Sequence, residues 1–163
     1  DVDMKENRTL FISIDRYNQA LMELLDIDRK IMAAIMGLEA LFTFEKDRGE
    51  NTFKLGIRAA KLLNNLGFEP FKVRELIEEG YHFRNMVVHG SYISENNRKR
   101  MQEILPNIIN YLRVALIVFL MNKDMGKEGM IEFLEKSMIN DDQNKLLIEK
   151  LKMNIEEFPN VFS

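Results

Sequence analysis

The chain has 163 residues, a length that fits one domain with a small appendage and allows one real core. Hydrophobic residues make up 46% and charged residues 30%, and a net charge of -3 excludes a global basic field that would draw the protein onto nucleic acid. With no Cys and two His, disulfides, thiolate chemistry and the usual ligands of structural zinc are excluded, so no metal or cofactor is expected.

The cysteine-free composition is compatible with a reducing, cytoplasmic setting. Only 3 Pro and 8 Gly interrupt the chain, and 11 Met and 11 Phe without Trp point to a deformable core between long helices. The longest apolar stretch, Val114 to Met121, is too short to span a bilayer and follows Arg113, so no membrane segment is expected. There is no signal peptide, and a first residue Asp raises the expectation of a fragment, the C-terminal part of a longer protein.

The elements read as helices with short joints. Residues 1–8 are expected to be a disordered segment or linker. A first helix is predicted from Thr9 to Leu25, with Phe11, Ile14, Tyr17, Leu21 and Leu24 at helical spacing. Asp26 or Asp28 caps a second helix that extends to Phe44 and is apolar nearly all round, as a central bundle helix should be. Its one charge after Ile31 is Glu39, which must find a cation or several donors; Arg58 and Arg84 are the candidates.

The charged loop Glu45–Glu50 leads to a third helix, Asn51 to Leu66, stopped by Gly67 and carrying Phe53, Ile57, Ala60 and Leu63 on its apolar side. A fourth helix is predicted from Phe71 to His89, ending at Gly90. A fifth runs from Glu95 to Met121 with Met101, Ile104, Leu105, Ile108, Leu112, Ala115 and Phe119 on one stripe, and Pro106 is expected to kink it or mark a restart. Residues 127–138 and 141–153 read as two short amphipathic helices. The expectation is an all-α, antiparallel helical bundle of about five main helices over residues 9–122, with a C-terminal helical extension, 123–163, packed on it.

On a helical wheel the fourth helix places Val73, Leu76, Ile77, Gly80, Tyr81, Arg84, Val87 and Val88 on an apolar side, and Glu75, Glu78, His82, Asn85 and His89 on a polar one. Arg84 thus points toward packed surface and needs a carboxylate or phosphate. His89 lies in the last turn, where the helix dipole favours the imidazolium, and Asn85 is placed one turn earlier to fix its tautomer. On spacing alone the structural roles outweigh the chemical ones: Arg84 a salt-bridged core residue, His89 a helix end, Glu39 a structural tie, His82 a surface or groove residue.

Arg84-Asn85 with His89-Gly90 and a preceding Tyr81 resembles the Arg-x4–6-His motif of HEPN domains. The blocks Gly37-Leu38-Glu39-Ala40-Leu41-Phe42, Arg58-Ala59-Ala60-Lys61-Leu62-Leu63 and Arg84-Asn85-Met86-Val87-Val88-His89-Gly90 stand in the order seen in ApeA-like HEPN domains, a likeness spanning Phe11 to Leu120. The resemblance implies a homodimer with two motifs facing across a cleft. It implies a metal-independent endoribonuclease in many members, some of them toxins or antiphage effectors, and scaffolds or nucleotide-binding modules in others. It also implies an upstream sensor domain.

The chemistry agrees with that implication: cleavage through a ribose 2′-hydroxyl needs a base near neutral pKa and a cation on the phosphate, roles for His89 and Arg84 with Asn85 beside them. Glu39, Tyr81, His82 and Arg58 are the supporting candidates. Arg84 and His89 are five positions apart, about 140° around an ideal helix, so within one chain they do not converge without a distorted last turn. Arg98-Lys99-Arg100 is the candidate local basic patch for RNA, its plain alternative being a solvated helix start. The competing readings are a non-catalytic helical dimer that binds a nucleotide, RNA or a partner protein, and an unrelated helical regulatory domain.

Overall fold

A computed structural model describes residues 7–22, 24–47 and 49–157, and the described residues form an all-α bundle. The helices are α1 (Arg8–Leu21), α2 (Ile27–Phe42), α3 (Asn51–Asn64), α4 (Pro70–Val88), α5 (Glu95–Met121), α6 (Gly126–Ile139) and α7 (Asp141–Glu157), with 3-10 turns at Glu45–Asp47 and Lys123–Met125. Asn7 and Arg8, expected in a disordered segment or linker, belong to the start of α1; residues 1–6 and the tail 158–163 lie outside the described residues.

Helix α2 is the axis, because its run of Ile, Leu and Ala leaves no polar face to show to water. Ile31, Ala34, Ile35, Leu38, Leu41 and Phe42 are all buried. It forms an antiparallel hairpin with α1, pinned where the Ser13 hydroxyl donates to the Gly37 carbonyl at 2.9 Å. At Gly37 a Cβ would lie 2.7 Å from Leu112 Cδ2 and 3.3 Å from Arg16 Cβ, so the missing side chain is what lets α1, α2 and α5 close on one another. Helices α2 and α5 run side by side in the same sense, tied by Asp28 to Arg98 at one end and by an edge-on Phe42–Phe119 contact at 5.4 Å at the other. The antiparallel α3–α4 hairpin forms the link that permits this. Its loop turns at Gly67, where a φ of 91° suits glycine.

The fifth helix matches its expected bounds. Pro106 does not interrupt it: both Pro106 and Gln102, whose carbonyl loses its usual donor, are on the exposed side. By length and composition α5 is apolar enough to cross a membrane, more so than the short run from Val114 suggested; here its apolar stripe, from Met101 to Phe119, is buried in the bundle. Helices α6 and α7 contribute Met130, Leu134, Leu147 and Leu151 to the same hydrophobic cluster, so the C-terminal extension shares the core.

The expected faces need two corrections. In α1 the buried residues are Leu10, Ser13 and Ala20, while Phe11 and Leu21 are exposed and Leu24, beyond the helix end, is 99% exposed. Ile14 and Tyr17 of the expected stripe pack against the core partly buried, and Ser13, bonded to the Gly37 carbonyl, and Ala20 make the close contact with α2. In α3, Phe53 is exposed under the Arg74 guanidinium and the buried set includes Leu55, Ala59 and Leu62. Asp26 stands at the start of α2 without a capping bond from its side chain, and Asp28 turns to Arg98 instead.

Candidate functional site

Helix α4 is held at both ends by local chemistry. Glu69 accepts hydrogen bonds from the Phe71 and Lys72 amides at 3.0 and 2.6 Å, and Pro70 supplies a preset first helical residue. At the other end Ser91 N–H donates to the Met86 carbonyl and Gly90 N–H to the Val87 carbonyl, with Gly90 at φ 66°. This is the Schellman closure, which fixes where His89 sits. Along the helix Val73, Leu76, Ile77, Gly80 and Phe83 are buried, Tyr81, Arg84 and Val87 are half-buried, and Val88 is exposed.

Of the two candidate cations for Glu39, Arg84 meets it and Arg58 does not. Its Nη2 lies 3.3 Å from Glu39 Oε2, with side chains 23% and 15% exposed, and its Nη1 donates to Asn85 Oδ1 at 3.0 Å. The guanidinium also lies over the Tyr81 ring, 5.5 Å from its centre, while its Nε is buried without a partner. Burial pushes the Glu39 carboxyl up, and the Arg84 charge and a Tyr81 hydrogen bond offset only part of that. Tyr81 is pushed up as well, by burial and then by the Glu39 charge, with Asn51 at the start of α3 among its neighbours. The site is thus a half-buried cation held by one reluctant carboxylate, one amide and one aromatic face.

His89 is the residue just past α4 and is exposed, as are Gly90, Ser91 and Tyr92. The expected Asn85–His89 side-chain bond is not made: the Asn85 oxygen is taken by Arg84, its direct neighbour, and only the His89 backbone N–H reaches Asn85, at its carbonyl. His82 is exposed beside Phe83. Arg84 and His89 occupy the same end of α4, and no hydrogen bond or ring contact joins them among the described residues.

Arg58 does not support this cluster, which corrects its expected role. It is 4% exposed and donates to the Phe42 carbonyl at 2.6 Å, to Asp47 Oδ2 at 2.7 Å and to Glu135 Oε1 at 2.6 Å, tying α3 to the end of α2 and to α6. Burial alone would raise the Asp47 carboxyl. Bonds from Arg58, the Phe44 amide and Lys54 outweigh it and hold that carboxyl well below the usual carboxylate range.

The Arg98-Lys99-Arg100 patch is also corrected. Arg98 pairs with Asp28 at 2.8 Å, and Arg100 forms a bidentate pair with Glu79 at 2.8 and 2.9 Å and bonds Glu103 at 3.0 Å. Of these three cations, Lys99 alone has no ion pair among the described residues, and it is exposed. A wheel of α5 alone does not show carboxylates arriving from α2 and α4.

Two features escaped the sequence. Asn51, which opens α3, reaches Tyr81, and nothing in its local pattern marks it. A cleft of about 800 Å³ is walled by residues 43–45, by the 123–128 segment and by Asn7 and Thr9, far in sequence from the α4 motif. No group of three or more His, Cys, Asp or Glu side chains suited to a metal ion is found among the described residues. No family model, curated protein or solved structure matches the chain.

Proposed function

We propose that this chain is a HEPN-type endoribonuclease domain that cuts RNA as a homodimer without a metal ion, with a place in a defence or toxin system. The observation that carries the reading is the α4 terminus, where a half-buried, ion-paired Arg84 precedes an exposed His89 set by a glycine closure. Together with the three sequence blocks, this supports a division of labour. His89 accepts the proton of the ribose 2′-hydroxyl, whose oxygen attacks the adjacent phosphorus. Arg84 donates to the phosphate oxygens as charge builds, and the 5′-oxygen leaves with a proton, giving a 2′,3′-cyclic phosphate.

Glu39 and Asn85 are positioning residues in this scheme. They hold the guanidinium, and a phosphate with two oxygens can replace the Glu39 contact at 3.3 Å with shorter charge-assisted bonds. Because Arg84 and His89 do not meet within one chain, the partner's motif completes the site.

A second reading, a non-catalytic HEPN-like dimer module that binds a nucleotide, RNA or a protein, is favoured by one observation. Arg98 and Arg100 are paired within the chain, which leaves Lys99 alone of that patch to meet an RNA substrate and, within this second reading, favours a nucleotide or a protein as the ligand. The test is RNA incubated with wild type, Arg84→Ala and His89→Ala in EDTA, alongside the mass in solution. Cleavage by a dimer that vanishes in both variants supports the first reading. Equal background in all three with a stable dimer supports the second, and a strict monomer at micromolar concentration contradicts the two-motif site.

A further inference from the structure

The cleft beneath the 3-10 turn at Glu45–Asp47 holds a lysine in unusual surroundings. Lys127 lines it, half-buried at the start of α6, and its Nζ donates to the Thr43 carbonyl and lies 4.9 Å from the centre of the Phe44 ring. Two more cations share that ring, Lys46 at 4.9 Å and Arg58 at 5.8 Å. Lys127 forms no ion pair among the described residues, and its one hydrogen-bond acceptor is a carbonyl, which leaves the ammonium without a compensating carboxylate and can still be bonded, less strongly, by a neutral amine. A lysine that is desolvated and crowded by another cation is the arrangement that yields a nucleophilic amine.

We propose that Lys127 is a covalent capture site for small uncharged aldehydes and ketones, which enter the cleft and form an imine on Nζ. Burial, followed by the Arg58 guanidinium, pushes its ammonium down to about 8, with Asp47 pulling the other way. Among the other charged groups lining the cleft, Asp124 and Glu128 outnumber Lys123, which disfavours carboxylate or phosphate ligands and leaves uncharged carbonyl compounds. In the step, the Nζ lone pair forms a C–N bond to the carbonyl carbon while the carbonyl oxygen gains a proton. The resulting hydroxyl then leaves as water, with its second proton supplied by solvent or a cleft carboxylic acid, and nitrogen loses its remaining proton to give the C=N bond.

The probe is propanal with sodium cyanoborohydride, whose hydride reduces the C=N bond to a stable secondary amine, read by peptide mass mapping at neutral pH. Lys99 and Lys145, both exposed, serve as internal references. Lys127 is expected to be alkylated at least about tenfold faster than either, because the neutral amine fraction rises tenfold for each unit its pKa falls. The advantage is expected to shrink above pH 8, to disappear in denaturing urea, and to be absent from Lys127→Arg while the references are unchanged. Labelling of Lys127 at or below the reference rate in the folded protein, or an advantage that survives urea, overturns the proposal.

Discussion

Replacing Arg58 with alanine breaks the most buried ion pair among the described residues. The guanidinium serves three acceptors of unequal weight: the Phe42 carbonyl and Asp47 are buried, with the Asp47 side chain 1% exposed, whereas Glu135 is 51% exposed. Breaking a buried pair costs about 3–5 kcal/mol because the remaining charge is stranded. Lys54 and the Phe44 amide still serve Asp47 at 2.9 and 3.0 Å, which places Arg58→Ala near the low end, about 3 kcal/mol. For a chain of this size that is a fall of about 6–12 °C in Tm, measured by circular dichroism. Glu135→Ala, removing the exposed partner, is expected to cost under about 1 kcal/mol.

The acid limb gives an independent reading. Because the Asp47 carboxyl is held below its unfolded value, its contribution is complete above about pH 4 and is lost as pH falls through the folded pKa. The gap between wild type and Arg58→Ala therefore narrows on acidification below about pH 4. A loss below about 1 kcal/mol for Arg58→Ala, or equal losses for Arg58→Ala and Glu135→Ala, refutes the assignment of this tie to the buried side.

Three further outcomes are expected. Gly80→Ala puts a Cβ 2.6 Å from Ile108 Cδ1 and 2.8 Å from Ile35 Cδ1, both fully buried, so thermal melts should show a loss of about 1–3 kcal/mol, partly restored by Ile108→Val, which deletes one clashing methyl. Glu39 has a raised pKa, so the folded state binds its proton more tightly; wild-type stability falls as pH rises from the unfolded value through the folded one, and urea titrations of Glu39→Gln should lack that fall. If RNA binds along α5, Lys99→Ala should reduce the slope of log affinity against log salt by about 1, whereas Arg100→Ala, already paired with Glu79 and Glu103, should leave it nearly unchanged.

The helices were legible because their signals are local. Alanine- and leucine-rich α2 and the α5 stripe admit one reading, and Gly67 and Gly90 end helices where a positive φ is required. Arg84 facing a packed surface was legible too, as one of two candidate partners for Glu39, the one charge in the apolar run after Ile31. What was hidden depends on which helices meet. Arg58 was a plausible partner for Glu39 by composition, but α3 presents it to the loop after α2 and to α6. The basic run Arg98–Arg100 lost its freedom to Asp28 and Glu79, residues 70 and 21 positions away. Asn85 preferred the adjacent guanidinium to the imidazole one turn on, a choice the wheel cannot rank.

The direct test of the α4 terminus as a ribonuclease centre is a DNA strand carrying a single ribonucleotide, incubated with the protein in EDTA. One cut 3′ to the ribonucleotide, ending in a 2′,3′-cyclic phosphate and absent with His89→Ala, is the expected result. An intact strand under conditions where the protein is a dimer, or the same cut with His89→Ala, contradicts it.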